Sequence, residues 1–492
     1  MAEPLRELIA QRLRKLGELR QMGMEPFGGA FECSHTAAQL RERFGPLDGQ
    51  SLEEQSPQVS VAGRLMSIRD FGKAAFSHLQ DSSGRLQLYF KRDVLGEDFR
   101  LFKKYIDIGD ILGARGRLFK TRTGELTVEV RGFELLCKAL RPLPEKWHGL
   151  RDVEARYRQR YLDLLVNPQV KEVFLLRSRV IKALREALDK RGFLEVETPM
   201  MHPVAGGAAA KPFRTHHIAL GIDLYLRIAP ELYLKRLLVG GLERIYELGK
   251  CFRNEGISTK HNPEFTMLEF YVAYKDYRWL MDFTEELLCE VAERTTGGLK
   301  LRWGQQEVDL TPPWPRLTMR QALLRHGVPQ GVLESPQQAL AFARDRGIEV
   351  PQGASHAKLL DEIFQETVEP HLLQPTFITE HPWELSPLAK QRPDAPHLVE
   401  RFELFVGGRE IVNAFSELND PLEQRRRFEL QLQARAQGDL EAHPMDEDFL
   451  RALEHGMPPA AGEGIGVDRL VMLLANAPSI REVILFPQLR PE

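Results

Sequence analysis

Leu5, Leu8, Ile9, Leu13 and Leu16 recur every three or four places near the start of the chain, the spacing of one helical face. Charges of both signs fill the positions between them, so the helix is expected at a surface. It either packs on a neighbouring element or touches RNA through a basic outer face. From Val59 the period changes, and short runs alternate between apolar and polar positions. Val59, Val61, Leu65 and Ile68 lead to Asp70-Phe71-Gly72. Ala74 to Leu79 follows, then the turn Asp81-Ser82-Ser83-Gly84 and Arg85 to Phe90. A helical stretch around Asp98 to Tyr105 precedes Ile111 to Phe119 and Leu126 to Leu135, which are joined by Thr121-Arg122-Thr123-Gly124.

Five strands with a helix between the third and fourth predict an OB-fold barrel. Its face can bind oligonucleotides or sugars, or the barrel can be purely structural. Residues 141–168 contain prolines and many basic groups and read as a linker. Beyond them Val173, Phe174, Val180, Ile181, Leu184 and Leu188 form a helical face closed by Gly192. Phe193 to Thr198, Tyr225 to Ile228, Arg244 to Leu248, Thr266 to Ala273, Glu403 to Val406 and Glu410 to Phe415 read as strands of one sheet. Their irregular connections exclude a βαβ repeat. The fold class is therefore α+β, with a helical extension over 1–56, a barrel over 57–140, the linker, and a second domain over 169–492 on a mostly antiparallel sheet flanked by helices. Residues 315–375 look helical and carry no motif.

Bulk properties narrow the chemistry. A net charge of −3 gives no global attraction to nucleic acid, so RNA contact must rely on local basic surface. Cys33, Cys137, Cys251 and Cys289 form no CxxC pair, which argues against a thiolate metal site or a disulfide framework and for a reducing cytoplasm. No apolar run reaches membrane-spanning length, and the charged N-terminus is unlike a signal peptide.

The densest chemistry runs from Arg253 to Tyr271. Arginine pairs bidentately with phosphate oxygens and stabilises charge that builds during transfer at phosphorus. Glu255 can accept from an adenine amino group, Lys260 and His261 can reach outer phosphates, and Phe265 offers adenine a face. The alternative for Arg253 is a salt-bridged surface turn. No GxxxxGK[ST] loop is present, so ATP would need another cradle. Gly462 to Arg469 reads as a glycine-rich loop entering the helix Leu470 to Leu474. Its glycines allow close backbone approach, and Arg469 can stack on the other face of adenine. Glu403 and Glu410 lie on strands joined by a Gly-Gly turn, either merely solvated or sharing magnesium with ATP phosphates. Asn413, Phe415 and Glu417 alternate and would share one strand face.

These segments resemble a known family. Phe193 to Met201, Phe252-Arg253-Asn254-Glu255 and Gly464 to Arg469 are similar to the three signature motifs of class II aminoacyl-tRNA synthetases. The barrel matches the lysine, aspartate and asparagine subgroup. Arg156 to Asp163, Ile228 to Lys235 and Asn413 to Asp420 resemble the bacterial lysyl-tRNA synthetases, and the similarity runs from end to end. The resemblance implies a homodimeric ligase that activates lysine with ATP and magnesium and passes it to the 3′ end of tRNA(Lys). Gly207 and Glu231 would hold the lysine α-ammonium, and Arg253 its carboxylate and the α-phosphate. Glu417 and Tyr271 would meet the ε-ammonium, with Glu269, Asn413 and Phe415 lining the pocket. ATP would meet Arg253, Glu255, Lys260, His261, Asn262, Phe265 and Arg469, with magnesium on Glu403 and Glu410. Arg253, Glu410 and Arg469 would be the catalytic groups. In the barrel, Phe76, Gln87 and Glu125 match anticodon-reading positions. Two positions depart from the family pattern: Glu463 stands where an apolar residue is common, and Lys260 where arginine is.

The residues agree with that substrate. A buried carboxylate facing an ammonium rewards lysine, and leaving it unpaired costs roughly 3–5 kcal/mol. An aspartate-activating relative would want a cation there, and Asn413 to Glu417 contains none. An enzyme that lysylates proteins would lack the barrel, and an inactive RNA-binding relative would have lost Arg253, Glu410 or Arg469. Phe71 and Phe76 can stack on unpaired bases while Arg64, Lys73 and Arg85 meet phosphates; the alternative for both rings is barrel core.

Overall fold

A computed structural model of the protein describes residues 3–144, 150, 152–351, 353–436 and 442–491. The chain divides into two compact units, Met1–Gly149 and Leu150–Glu492.

In the first unit, helices Glu3–Gln21, Ala37–Phe44 and Gly49–Gln55 precede five strands closed into a barrel. Thr36 starts the second helix with a capping box, and Asp48 caps the third. The barrel order is Gln58–Asp70, Ala74–Gln80, Arg85–Lys91, Leu126–Cys137, Ile111–Lys120. Leu19, Leu40 and Leu52 of the helices join Leu65, Leu88, Phe90 and Val128 of the strands in one core. Packing thus accounts for Leu16 and Leu19 of the first helix, while Leu8 and Leu13 remain exposed.

The second unit is built on an eight-stranded sheet in the order Arg316–Thr318, Thr376–Thr379, Arg401–Phe405, Glu410–Ser416, Ala460–Gly466, Glu264–Ala273, Arg244–Phe252, Leu194–Glu195. The inner pairings are antiparallel and the outermost pairing at each edge is parallel. One face packs on helices Pro168–Lys190, Tyr277–Thr296 and Val467–Leu474 through Val180, Leu184, Phe270, Leu287 and Val471. The other face is left for the site.

Four sequence expectations change. Only Leu194–Glu195 of the run from Phe193 to Thr198 pairs as a strand, because Thr198 donates from its backbone and hydroxyl to Glu247 instead. The strand around Tyr225, Ile222–Leu226, belongs to a separate three-stranded sheet with Met201–His202 and Arg214–His217. Within 141–168, Val153–Arg158 and Arg160–Val166 are helices of the second unit. Buried Arg160 fixes them there by pairing with Asp163 at 2.5 Å and donating to the carbonyls of Arg481 and Leu485. Finally, the glycines at 462–466 lie on a strand inside the sheet, not in a loop. Residues 315–375 are largely helical and gather a core of their own around Leu323, Ile363 and Phe364. Among the described residues no helix is long and apolar enough to cross a membrane.

Candidate active site

Antiparallel register sets side chains in rows across the open face of the sheet. One row runs Glu247, Glu269, Gly464, Asn413, Glu403. The next runs Ile245, Tyr271, Gly462, Phe415, Arg401. The glycines sit between the polar side chains and keep the floor open. A Cβ on Gly462 would clash with the Glu417 carboxylate and the Tyr271 ring, and one on Gly464 would lie 2.9 Å from Met267 Cε. Glu463 points the opposite way, into the helical layer, where it meets Thr284.

Around this floor the structure gathers Glu231, Glu269, Tyr271 and Glu417, all buried. Gly207, with φ of +95°, lies against Glu231: a Cβ there would be 3.2 Å from Glu231 Cβ. Tyr271 Oη donates to Glu269 Oε2 at 3.2 Å. Burial, reinforced by Glu231, pushes Glu269 up to about 8. Glu417 is likewise pushed up to about 8 by burial, against the pull of Lys235. Lys235, fully buried on helix Glu231–Val239, pairs with Glu231 Oε1 at 2.5 Å and with Glu417. Beyond that ion pair neither oxygen of Glu417 has a hydrogen-bond partner. Two of the three carboxylates, Glu231 and Glu417, therefore share one internal ammonium, and Glu269 accepts from Tyr271. An environment of this sign favours a cationic guest.

The phosphate-side candidates lie beside this pocket. Arg253 follows strand Arg244–Phe252 and rests 5.0 Å from the centre of the Phe265 ring. Its Nε is buried without a hydrogen-bond partner, and among the described residues Arg253 has no ion pair, so it is no salt-bridged turn. Glu255 is exposed in the same loop. Partial burial and nearby Arg469 hold His261 below its usual range. Lys260 reaches Glu369 at 3.4 Å. The Asn262 amide is engaged by the backbone, donating to Glu264 O at 2.6 Å and accepting from Gln488 N at 3.1 Å. Arg469 donates to Glu410 through both its backbone oxygen and its carboxylate, at 2.9 and 3.0 Å. Arg401 pairs with Glu403 at 2.5 Å and donates to Asn413 at 3.0 Å. Burial pushes Glu403 up to about 8 against the pull of Arg401, with Glu410 adding to the rise.

In the barrel, Phe71 is 66% exposed and meets Phe76 edge-on, while Phe76 stacks on Tyr89 at 4.6 Å. Neither ring is core. Gln87 donates to Glu125 at 2.7 Å and accepts from Thr127 at 2.8 Å. His78 lies 3.2 Å from Glu125. Arg64 stands apart from this group, at the Gln80 end of the strand pair, donating to Gly109 O at 2.7 Å.

Sequence reasoning missed Lys235, Arg401, Glu369 and Asp468. Asp468 accepts from the Thr266 backbone at 2.6 Å and pairs with Arg177 at 2.5 Å, tying the third motif to strand Glu264–Ala273 and helix Pro168–Lys190. Lys235 also overturns one argument. The stretch Asn413 to Glu417 holds no cation, yet helix Glu231–Val239 brings one against Glu417. The excess of carboxylates, not the absence of a cation, is what favours an ammonium substrate.

A family model described as tRNA synthetases class II (D, K and N) matches residues 152–490, and an OB-fold nucleic acid binding domain matches 59–136. The chain is 59% identical to the lysine–tRNA ligase of Moorella thermoacetica, covering 99% of this chain and 98% of that one. Identity is 56% to the lysine–tRNA ligase of Carboxydothermus hydrogenoformans, over 99% of both chains. It is 51% to that of Bacillus subtilis, over 99% and 98%. With both domains matched and the three motifs meeting on one glycine-floored sheet, the chain belongs to the class II tRNA synthetases of the D, K and N group, in the lysine–tRNA ligase family.

Proposed function

We propose that the protein joins L-lysine to tRNA(Lys) in two steps. The lysine carboxylate attacks the α-phosphate of ATP in line, pyrophosphate leaves, and the resulting lysyl-adenylate is attacked by a ribose hydroxyl at the tRNA 3′ end. No enzyme nucleophile is required. Catalysis comes from positioning and from charge stabilisation at phosphorus. The observation that carries the reading is the presence of three buried carboxylates together with a guanidinium whose Nε is buried without a hydrogen-bond partner among the described residues. Glu231 with Gly207 receives the α-ammonium, Glu417 and Tyr271 the ε-ammonium, and Arg253 the carboxylate and α-phosphate. Glu269, Asn413 and Phe415 line the lysine pocket. Adenine lies between Phe265 and Arg469, with Glu255 at its amino group and His261 and Lys260 toward the outer phosphates; Asn262 shapes the loop.

Glu403 and Glu410 suit magnesium held jointly with ATP. Among the described residues no group of three or more His, Cys, Asp or Glu side chains is gathered for a metal. Glu410 adds to the rise of Glu403, so the two carboxylates lie near enough to suit a divalent cation completed by phosphate oxygens. When bound, it would neutralise charge on the outer phosphates. In the barrel Phe71, Phe76, Gln87 and Glu125 read the anticodon by stacking and hydrogen bonding. The exposed Leu194, Met200, Met201 and Ile218 favour a second copy of the chain as a partner, and the unpaired thiols suit the cytoplasm.

Arg253→Ala tests the assignment. It is expected to abolish lysine-dependent ATP–pyrophosphate exchange with the fold intact by circular dichroism. Exchange within about tenfold of the unaltered protein would refute its role, since losing such a donor costs roughly 10²–10³-fold.

A further inference from the structure

The geometry points to Lys235 as a positioning residue for the amino acid: its ammonium draws Glu231 and Glu417 together from behind, presenting the two carboxylates as a matched pair for the substrate's two ammonium groups. This rests on the lysine-activating reading above and extends it to a residue that touches no substrate atom. Lys235 is wholly buried, pairs with both carboxylates at once, and lies 5.3 Å from the centre of the Phe415 ring.

The charges explain why such a residue is needed. Glu231, Glu269 and Glu417 crowd the pocket, and like charges in a buried space favour protonation. A protonated carboxyl would receive an ammonium poorly. One internal cation leaves an excess that the two ammonium groups of lysine complete, while Arg253 takes the substrate carboxylate. Burial opposes the charge on Lys235, but Glu231 and Glu417 outweigh it and hold its pKa above the usual value. The facing groups are few. Strand Glu264–Ala273 brings Glu269 and Tyr271, strand Arg401–Phe405 brings Arg401 beside Glu231, and His443 stands near Lys235. Burial pushes His443 down to about 4, with Lys235 adding to the fall, so it brings no second charge at neutral pH. Arg236, the next residue, is turned away to Asp446 and Asp448. Arg401 is engaged by Glu403 and Asn413, and among the described residues Glu417 has no ion pair besides that with Lys235.

Lys235→Met and Lys235→Gln test the idea in lysine-dependent ATP–pyrophosphate exchange, with the KM values for lysine and ATP measured between pH 6 and 9. The unaltered protein is assayed alongside; if it shows no exchange with lysine, the functional reading fails, not this one. The expected result is a lysine KM raised roughly 100-fold, the cost of an uncompensated buried charge. The ATP KM should stay within about threefold, and the pH at which kcat/KM for lysine rises should move up by at least about one unit. Lys235→Arg, which keeps the charge, should keep the original pH limb. Gln at 235 can still hydrogen-bond both carboxylates, so it carries the test if the Met variant does not fold. A lysine KM within about threefold of normal in a folded neutral variant would overturn the proposal, as would an unmoved pH limb.

Discussion

Glu463 sits on the strand that carries the two glycines of the floor, yet its carboxyl faces the helical layer at 2% exposure. Thr284 Oγ1 lies 2.6 Å from both the Leu280 carbonyl and Glu463 Oε2. A hydroxyl has one proton, so both contacts are satisfied only if Thr284 donates to Leu280 and a protonated Glu463 donates to Thr284. Burial pushes this carboxyl up to about 8. Its folded pKa is thus above its unfolded value. The stability it contributes is present in full below about pH 4.5 and is lost as pH rises through about 8. Glu463→Leu should flatten the dependence of melting temperature on pH across that window. At pH 8.5 it should gain about 1–3 kcal/mol by removing a poorly paired buried polar group. Calorimetry at pH 6 and 8.5 measures both, and an unchanged slope would contradict the protonated state. The sequence marked position 463 as unusual but placed it in a loop, because facing direction depends on strand register.

At the scale of elements, the sheet was legible where short runs are mostly apolar. Glu410 to Phe415 and Thr266 to Ala273 are such runs, and strands form there. The glycines at 462–466 signalled a loop, since glycine lacks strand propensity. They lie in the sheet because close approach of Glu417 and Tyr271 requires missing side chains. Lys235 gave no local signal either, being a lysine on a helix whose partners lie elsewhere in the chain. Glu369 shows that residues 315–375, which carry no motif, still reach the site through Lys260. The hairpin holding Glu403 and Glu410 turns at Gly407 and Gly408, with φ of +65° and +71°. A Cβ on Gly408 would lie 3.0 Å from Pro370 O. Gly408→Ala should therefore cost roughly 1–3 kcal/mol in stability. It should also raise the magnesium concentration for half-maximal exchange, because Glu410 moves with the turn; an unshifted magnesium titration would contradict that role.

At the scale of the whole molecule, the proposed tasks fall in separate units. The anticodon contacts we propose lie on the barrel, and the second unit holds every group assigned to ATP and lysine. Barrel topology was readable from turn spacing, and the Phe71 and Phe76 alternatives were resolved only by exposure, which a sequence does not encode. Replacing both rings by alanine should raise the KM for tRNA(Lys) by roughly 10–100-fold, as expected for losing about 1–3 kcal/mol of stacking per base. ATP–pyrophosphate exchange without tRNA should be unaffected. A parallel fall in exchange would tie the barrel to the chemistry and contradict this division.

The central claim is that carboxylates on a glycine floor select an amino acid bearing a second ammonium group. ATP–pyrophosphate exchange measured with the full protein across lysine, aspartate, asparagine and norleucine tests it most directly. The account predicts rapid exchange with lysine and at least about 100-fold less with the others, the cost of leaving a buried carboxylate unpaired. Exchange with aspartate or asparagine, or its absence with lysine, would contradict it.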